Sequence, residues 1–235
     1  MQSFYLNRLS QTVQDLVLEV ETTGSVNIEV VPDAELNCNG TTRRSRIEVS
    51  IQTHRAQVYA PTDGYFPDGA VLHEVLHIKR FHVERVPMLV AGASRFRHSF
   101  AALDNALEHL VIVPEELRLQ PERREHWENV IADVLAELPS VPASDRRLAV
   151  CLHWTFLTHV LHDSPQIGRA EELVEEYGFI QDAADLADQL VSVISSKEEM
   201  LSVLFGRFNE LNERQPLLTY LKGFPTERDS AASRE

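Results

Sequence analysis

The chain turns on Asp68-Gly69-Ala70-Val71-Leu72-His73-Glu74-Val75-Leu76-His77-Ile78-Lys79-Arg80-Phe81-His82. Residues four apart on a helix stack on one face, so His73 and His77 can both reach one metal ion. Glu74 follows His73 by about 100° of turn, near the same cleft and placed to handle the proton of an activated water. Val71, Val75 and Ile78 fall on the face away from the histidines. A helix that buries those three turns the imidazoles toward a cleft. Neutral imidazoles bind zinc and leave it electrophilic, and a carboxylate can take a proton from water and pass it on.

A catalytic zinc site needs three protein ligands and keeps one position open. His82 is nearest in sequence, but it lies about 180° round the helix from His73 and shares the buried side with Val75. No Gly or Pro stands between His77 and His82 to break the helix and bring it back. The preferred third ligand is Glu108, in Phe100-Ala-Ala-Leu-Asp-Asn-Ala-Leu-Glu-His-Leu-Val-Ile-Val-Pro114. Phe96, Phe100, Leu103, Leu107 and Leu110 form the apolar stripe of this second predicted helix. Ala101, Asp104, Asn105, Glu108 and Ile112 fall near the opposite face. Asp104 and Asn105 are expected to hold the carboxylate or a histidine N–H by hydrogen bonds. His109 and Asp104 are the alternative third ligands.

With these residues in place, the sequence resembles the gluzincin branch of the zincin metallopeptidases. That group carries two His ligands and a catalytic Glu in HExxH, with a Glu ligand on a downstream helix. Asn105-Ala-Leu-Glu108-His109 is similar to the Asn-x-x-Glu-Asp runs of some bacterial HExxH proteins, with His109 in the place of Asp. The likeness covers roughly residues 45–112. It implies one zinc ion on His73, His77 and Glu108, with Glu74 as general base. It also implies an oxyanion-stabilising Tyr or His, for which Tyr65, Tyr177, His109 and one of His153, His159 or His162 compete. The resemblance further implies a small antiparallel sheet ahead of the active helix, with an edge strand that pairs with extended peptide.

Composition narrows the partners. The 235 residues carry a net charge of −14, which argues against nucleic acid or an anionic membrane as partner. An apolar fraction of 43% fits a globular chain with an ample core. No charged-then-apolar leader and no apolar run long enough to span a bilayer is present. Cys38 and Cys151 are too few for a disulfide framework. The expectation is a cytoplasmic protein, although an effector exported without a cleaved signal would look the same. No Gly-rich phosphate loop and no GxSxG motif occurs.

Along the chain, Gln11–Glu21 reads as a helix capped by Ser10 and stopped by Gly24. Val26–Val31, Arg46–Gln52 and Gln57–Ala60 read as strands, and 33–46 as a turn or loop. Pro67 or Asp68 starts the HExxH helix, and Pro87 and Gly92 bound the loop beyond it. Pro114 is expected to end the Glu108 helix or start the next, with Glu115–Glu137 helical. Ser144–Leu161 follows as a helix, and about 168–211 as two or three more. His159 and His162 share a helical face that His153 does not join, so a second metal site is not expected there.

The fold expected is therefore α+β and zincin-like: a small N-terminal antiparallel sheet packed on the HExxH helix, then a mostly helical C-terminal half. Residues 1–223 form one domain, with 1–140 carrying the sheet and metal-site helices, 141–223 a helical subregion, and 224–235 a flexible tail. The activity expected is zinc-dependent hydrolysis of a peptide or protein substrate. The competing readings are a zincin-like helical binding or regulatory protein without turnover, and a hydrolase of a non-peptide amide or ester.

Overall fold

A computed structural model describes residues 1–37 and 46–221. Residues 38–45 of the expected turn or loop, including Cys38 and Arg43-Arg44, and the expected tail lie outside them. The fold is α+β and mainly helical, as expected. It divides into two compact units, and among the described residues the chain passes between them at Val90/Ala91 and again at Pro216/Leu217.

The first unit comprises, among the described residues, 1–37, 46–90 and 217–221. Its elements are α1 (Ser3–Leu6), α2 (Gln11–Gly24), β1 (Asn27–Asp33), β2 (Glu48–Gln52), β3 (Arg55–Pro61) and α3 (Asp68–His82). Two further strands, β4 (Met88–Ala91) and β5 (Pro216–Thr219), pair with each other. The sequence reading placed β4 in a loop, because four residues with no polar alternation carry no strand signal.

The expected antiparallel sheet is in fact mixed. Its order is β1-β3-β2: β2 is antiparallel to β3, and β1 is parallel to β3. A two-residue turn at Thr53-His54 closes the β2–β3 hairpin, whereas the long β1–β2 connection lets the chain cross to the far edge before returning. Period-2 alternation identifies the buried face of a strand but not its partner. That face is correct, since Ile28, Val30, Ala56, Val58 and Ala60 are all buried. Side chains occupy the outer edge of β1. Gln2 donates to the Val30 carbonyl at 3.1 Å and accepts from its N–H at 2.9 Å, and Glu21 accepts from the Ile28 N–H at 2.9 Å. Those backbone groups are therefore not available to an added peptide strand.

The α3 helix is the centre of this unit and packs on α2, β2 and β3. Val71, Leu72, Val75, Leu76, Ile78 and Phe81 are buried, so apolar contact surrounds it on more than the single face read from sequence. Asp68, its first residue, accepts the Ser10 N–H at 2.7 Å, and Lys79 pairs with Glu19 of α2 at 3.6 Å. The end of α2 differs from expectation. Ser25, not Gly24, takes the left-handed turn, at φ 47°. Gly24 instead permits close approach, because a Cβ there would stand 3.1 Å from the Cβ of His82.

The second unit, residues 91–216, is helical. It contains α4 (Arg97–Leu119), α5 (Arg124–Glu137), α6 (Ala143–Val160), α7 (Ile167–Glu176), α8 (Ile180–Ser192), α9 (Lys197–Arg207) and the short α10 (Asn209–Asn212). Pro114 does not end α4; the helix runs through it to Leu119. Proline has helical φ but forfeits the bond to the Leu110 carbonyl and crowds that oxygen with its ring; buried Leu107, Leu110, Ile112 and Val113 hold the helix on both sides. The break comes at Gln120-Pro121 instead, where a 3₁₀ turn over Pro121–Arg123 leads into α5. α6 packs on α4, α7 and α8. Arg147 of α6 grips Asp182 of α8 with two bonds of 2.7 and 2.9 Å, and Arg207 of α9 reaches the same carboxylate at 3.3 Å. Burial pushes the Cys151 thiol up to about 12, so it behaves as a small apolar group of the core. Among the described residues, no helix is long and apolar enough to cross a membrane.

Candidate metal centre

The α3 helix delivers the pattern its sequence promises. His73 and His77 stand with ring centres 4.8 Å apart and planes nearly perpendicular. His73 is half-buried and His77 buried. Val71, Val75 and Ile78, on the far side, are fully buried, and that burial fixes the rotation of the helix. Ligand nitrogens in a tetrahedral zinc site lie about 3.3 Å apart at Zn–N distances near 2.0–2.1 Å. Two rings with centres 4.8 Å apart can each turn one nitrogen to such a separation, so the pair fits a zinc ion. Glu74 is only 8% exposed, and a carboxylate so placed is shielded from bulk water. His82 is 1% exposed, on the packed side predicted for it.

In the helical unit, α4 carries Asp104, Asn105, Glu108 and His109. Glu108 is buried at 1% exposure, not on a solvated face. Its carboxylate lies 2.7 Å from the ammonium of Lys197, which is itself fully buried and also 2.7 Å from Asp104. Asp104, read from sequence as a partner of the Glu108 carboxylate, shares its cation instead. Asn105 is exposed. The His109 ring is half-buried and packs edge-on against Trp127 at 4.9 Å.

Sequence reasoning missed Lys197. It sits in Ser195-Ser196-Lys197-Glu198-Glu199, which reads as a charged surface run. The one local signal is the N-cap: Ser196 accepts the Glu199 N–H at 3.3 Å, fixing where α9 starts and hence where Lys197 stands. Nothing local says that this first residue of α9 points inward.

The remaining candidates are also placed. The Tyr65 ring lies under the Arg46 guanidinium at 4.6 Å, and the Tyr177 ring under that of Arg146 at 4.9 Å. His153 has Nδ1 2.6 Å from the Ala149 carbonyl, a contact within one helical turn that assigns the donor hydrogen to Nδ1. Burial lowers the proton affinity of His159. Among the described residues, His153, His159 and His162 form no three-ligand grouping.

Compared with protein-family models, with curated proteins and with solved structures, the chain finds no match.

Proposed function

We propose that the chain is a zinc-dependent hydrolase of the gluzincin type, acting on peptide or protein substrates. The observation that carries this reading is the α3 triad: two imidazoles with centres 4.8 Å apart, and a buried carboxylate one residue beyond the first. His73 and His77 would hold the ion. Its third protein ligand would come from the Glu108-His109 pair. Glu108 is the choice by resemblance, but its carboxylate already has a buried ammonium at 2.7 Å, and a dication would have to compete with that charge. Its neighbour His109 offers an imidazole nitrogen in place of a carboxylate.

When bound, zinc would supply a Lewis acid that polarises a carbonyl and eases deprotonation of water. The chain's own residues do the rest. Glu74, not a ligand, takes the proton from the attacking water and returns it to the leaving amine. The packed rear face of α3 holds the three side chains in fixed relation, which lowers the reorganisation needed at reaction.

The deciding experiment is elemental analysis of protein purified without chelators. About one equivalent of zinc is expected, and none in the His73→Ala, His77→Ala double variant when circular dichroism shows it folded. Parent protein that holds no zinc and takes up none on addition would remove the basis of the reading.

A further inference from the structure

The helical unit contains a concave site of its own. A pocket of about 380 Å³ opens between α4, α5 and α6. Small side chains make the space: Ala102 and Ala106 on α4 and Ala149 on α6 stand where larger residues would close it. Ala102 is exposed, and Val130, Val134 and Val141 are half-buried, so the pocket is open to solvent and not a sealed packing defect. Apolar groups left partly wet around a concavity of this size are the usual setting of a small-ligand site. The Trp127 ring packs on those of His109, at 4.9 Å, and Phe156, at 5.8 Å, so this wall is fixed before any ligand enters.

Burial divides the lining by polarity. Its buried side chains are Trp127, Ile131, Leu138, Leu152 and Phe156, all of them apolar. Its polar residues are Asn105 and Glu137, which are exposed, and His109 and His153, which are half-buried. Neither Lys nor Arg lines it. A charged group carried in against the buried walls would give up its water and meet no opposite charge there. Exposed Glu137 does not change this, because an ion pair in water contributes little. An uncharged apolar body has no such cost and gains by leaving water. Volume sets its size. A cavity of about 150 Å³ with aliphatic and aromatic walls holds one benzene ring, so about 380 Å³ suits a body of roughly two rings.

We propose that this pocket binds a small uncharged apolar molecule of roughly two rings, held by burial against Trp127, Ile131, Leu138, Leu152 and Phe156. The ligand takes no bond from Asn105, His109, Glu137 or His153, whose existing interactions stay as they are. Its binding is therefore separate from any zinc that His109 holds.

Three matched two-ring probes separate size from charge: 4-(hydroxymethyl)benzophenone, 4-benzoylbenzoate and 4-(aminomethyl)benzophenone. In calorimetric titration of the full chain, one-site saturable binding is expected for the alcohol, at least tenfold tighter than for the carboxylate or the ammonium. The benzophenone group also marks where it sits, because irradiation links it to neighbouring C–H bonds. Peptide mapping by mass spectrometry should then find the alcohol attached within residues 102–156. Ala106→Phe should weaken its binding tenfold or more by filling the pocket. Absence of saturable binding, either charged probe binding as tightly as the alcohol, attachment outside residues 102–156, or undiminished affinity in folded Ala106→Phe would each overturn the proposal. The titration and the mapping are read on parent protein, so they stand even where Ala106→Phe does not fold.

Discussion

Lys197 and Glu108, both buried, meet at 2.7 Å inside the helical unit, with Asp104 on the same ammonium. One cation therefore faces two carboxylates where water is scarce. A pair of this kind contributes little over an apolar replacement, but losing one partner leaves an uncompensated buried charge.

Lys197→Met should accordingly lower the unfolding free energy by about 3–5 kcal/mol, and Lys197→Met with Glu108→Gln should recover part of that loss. Urea denaturation of the three proteins measures both. A single-variant loss below about 1 kcal/mol, as for surface ion pairs, would show that the ammonium is solvated in solution.

The same pair separates the candidate zinc ligands. His109→Ala is expected to lose zinc at least tenfold more readily than the parent in a chelator competition. Glu108→Ala should lose chiefly stability. His82→Ala should keep its zinc and lose stability, since His82 packs against the end of α2 at Gly24. Zinc lost from Glu108→Ala but retained by His109→Ala would return the ligand role to the carboxylate.

Glu74→Gln keeps the size of the side chain and removes its basicity. Loss of a general base costs about 10²–10⁴ in rate. The variant should fold and bind zinc like the parent, while cleavage of a broad peptide mixture, read by mass spectrometry, falls by at least that factor. Parental turnover with zinc still bound would assign the proton to another group.

Acid stability tests the α6–α8–α9 clasp. The Arg147 guanidinium holds the Asp182 carboxyl below its ordinary 3.8. Above that value the carboxylate is charged in both folded and unfolded chains, and its stabilisation is fully present. As pH falls below 3.8 the unfolded chain takes up the proton first, so stability drops until the folded carboxyl also protonates. Water screens this half-exposed pair, so the contribution is on the order of 1 kcal/mol. Between about pH 4 and 2, Asp182→Asn should lose correspondingly less stability than the parent, relative to each protein's value at pH 6. Parallel pH curves for the two would show that the clasp contributes nothing.

Helical periodicity by itself determined the α3 helix, its buried Val71–Val75–Ile78 face, the shared face of His73 and His77, and the burial of His82. All are set by neighbours within two turns, and local spacing encodes that range directly. The apolar stripe of α4 was legible for the same reason, and so were most of the later helices. Tertiary structure alone decided the parallel pairing of β1 with β3, the pairing of β4 with β5 across more than a hundred residues, and the passage of α4 through Pro114. It alone brought Lys197 from a charged surface-like run to the Glu108 carboxylate. Strand partners and buried counter-ions are chosen by which distant surfaces meet. Alternation, capping and charge in a short window carry no record of that choice.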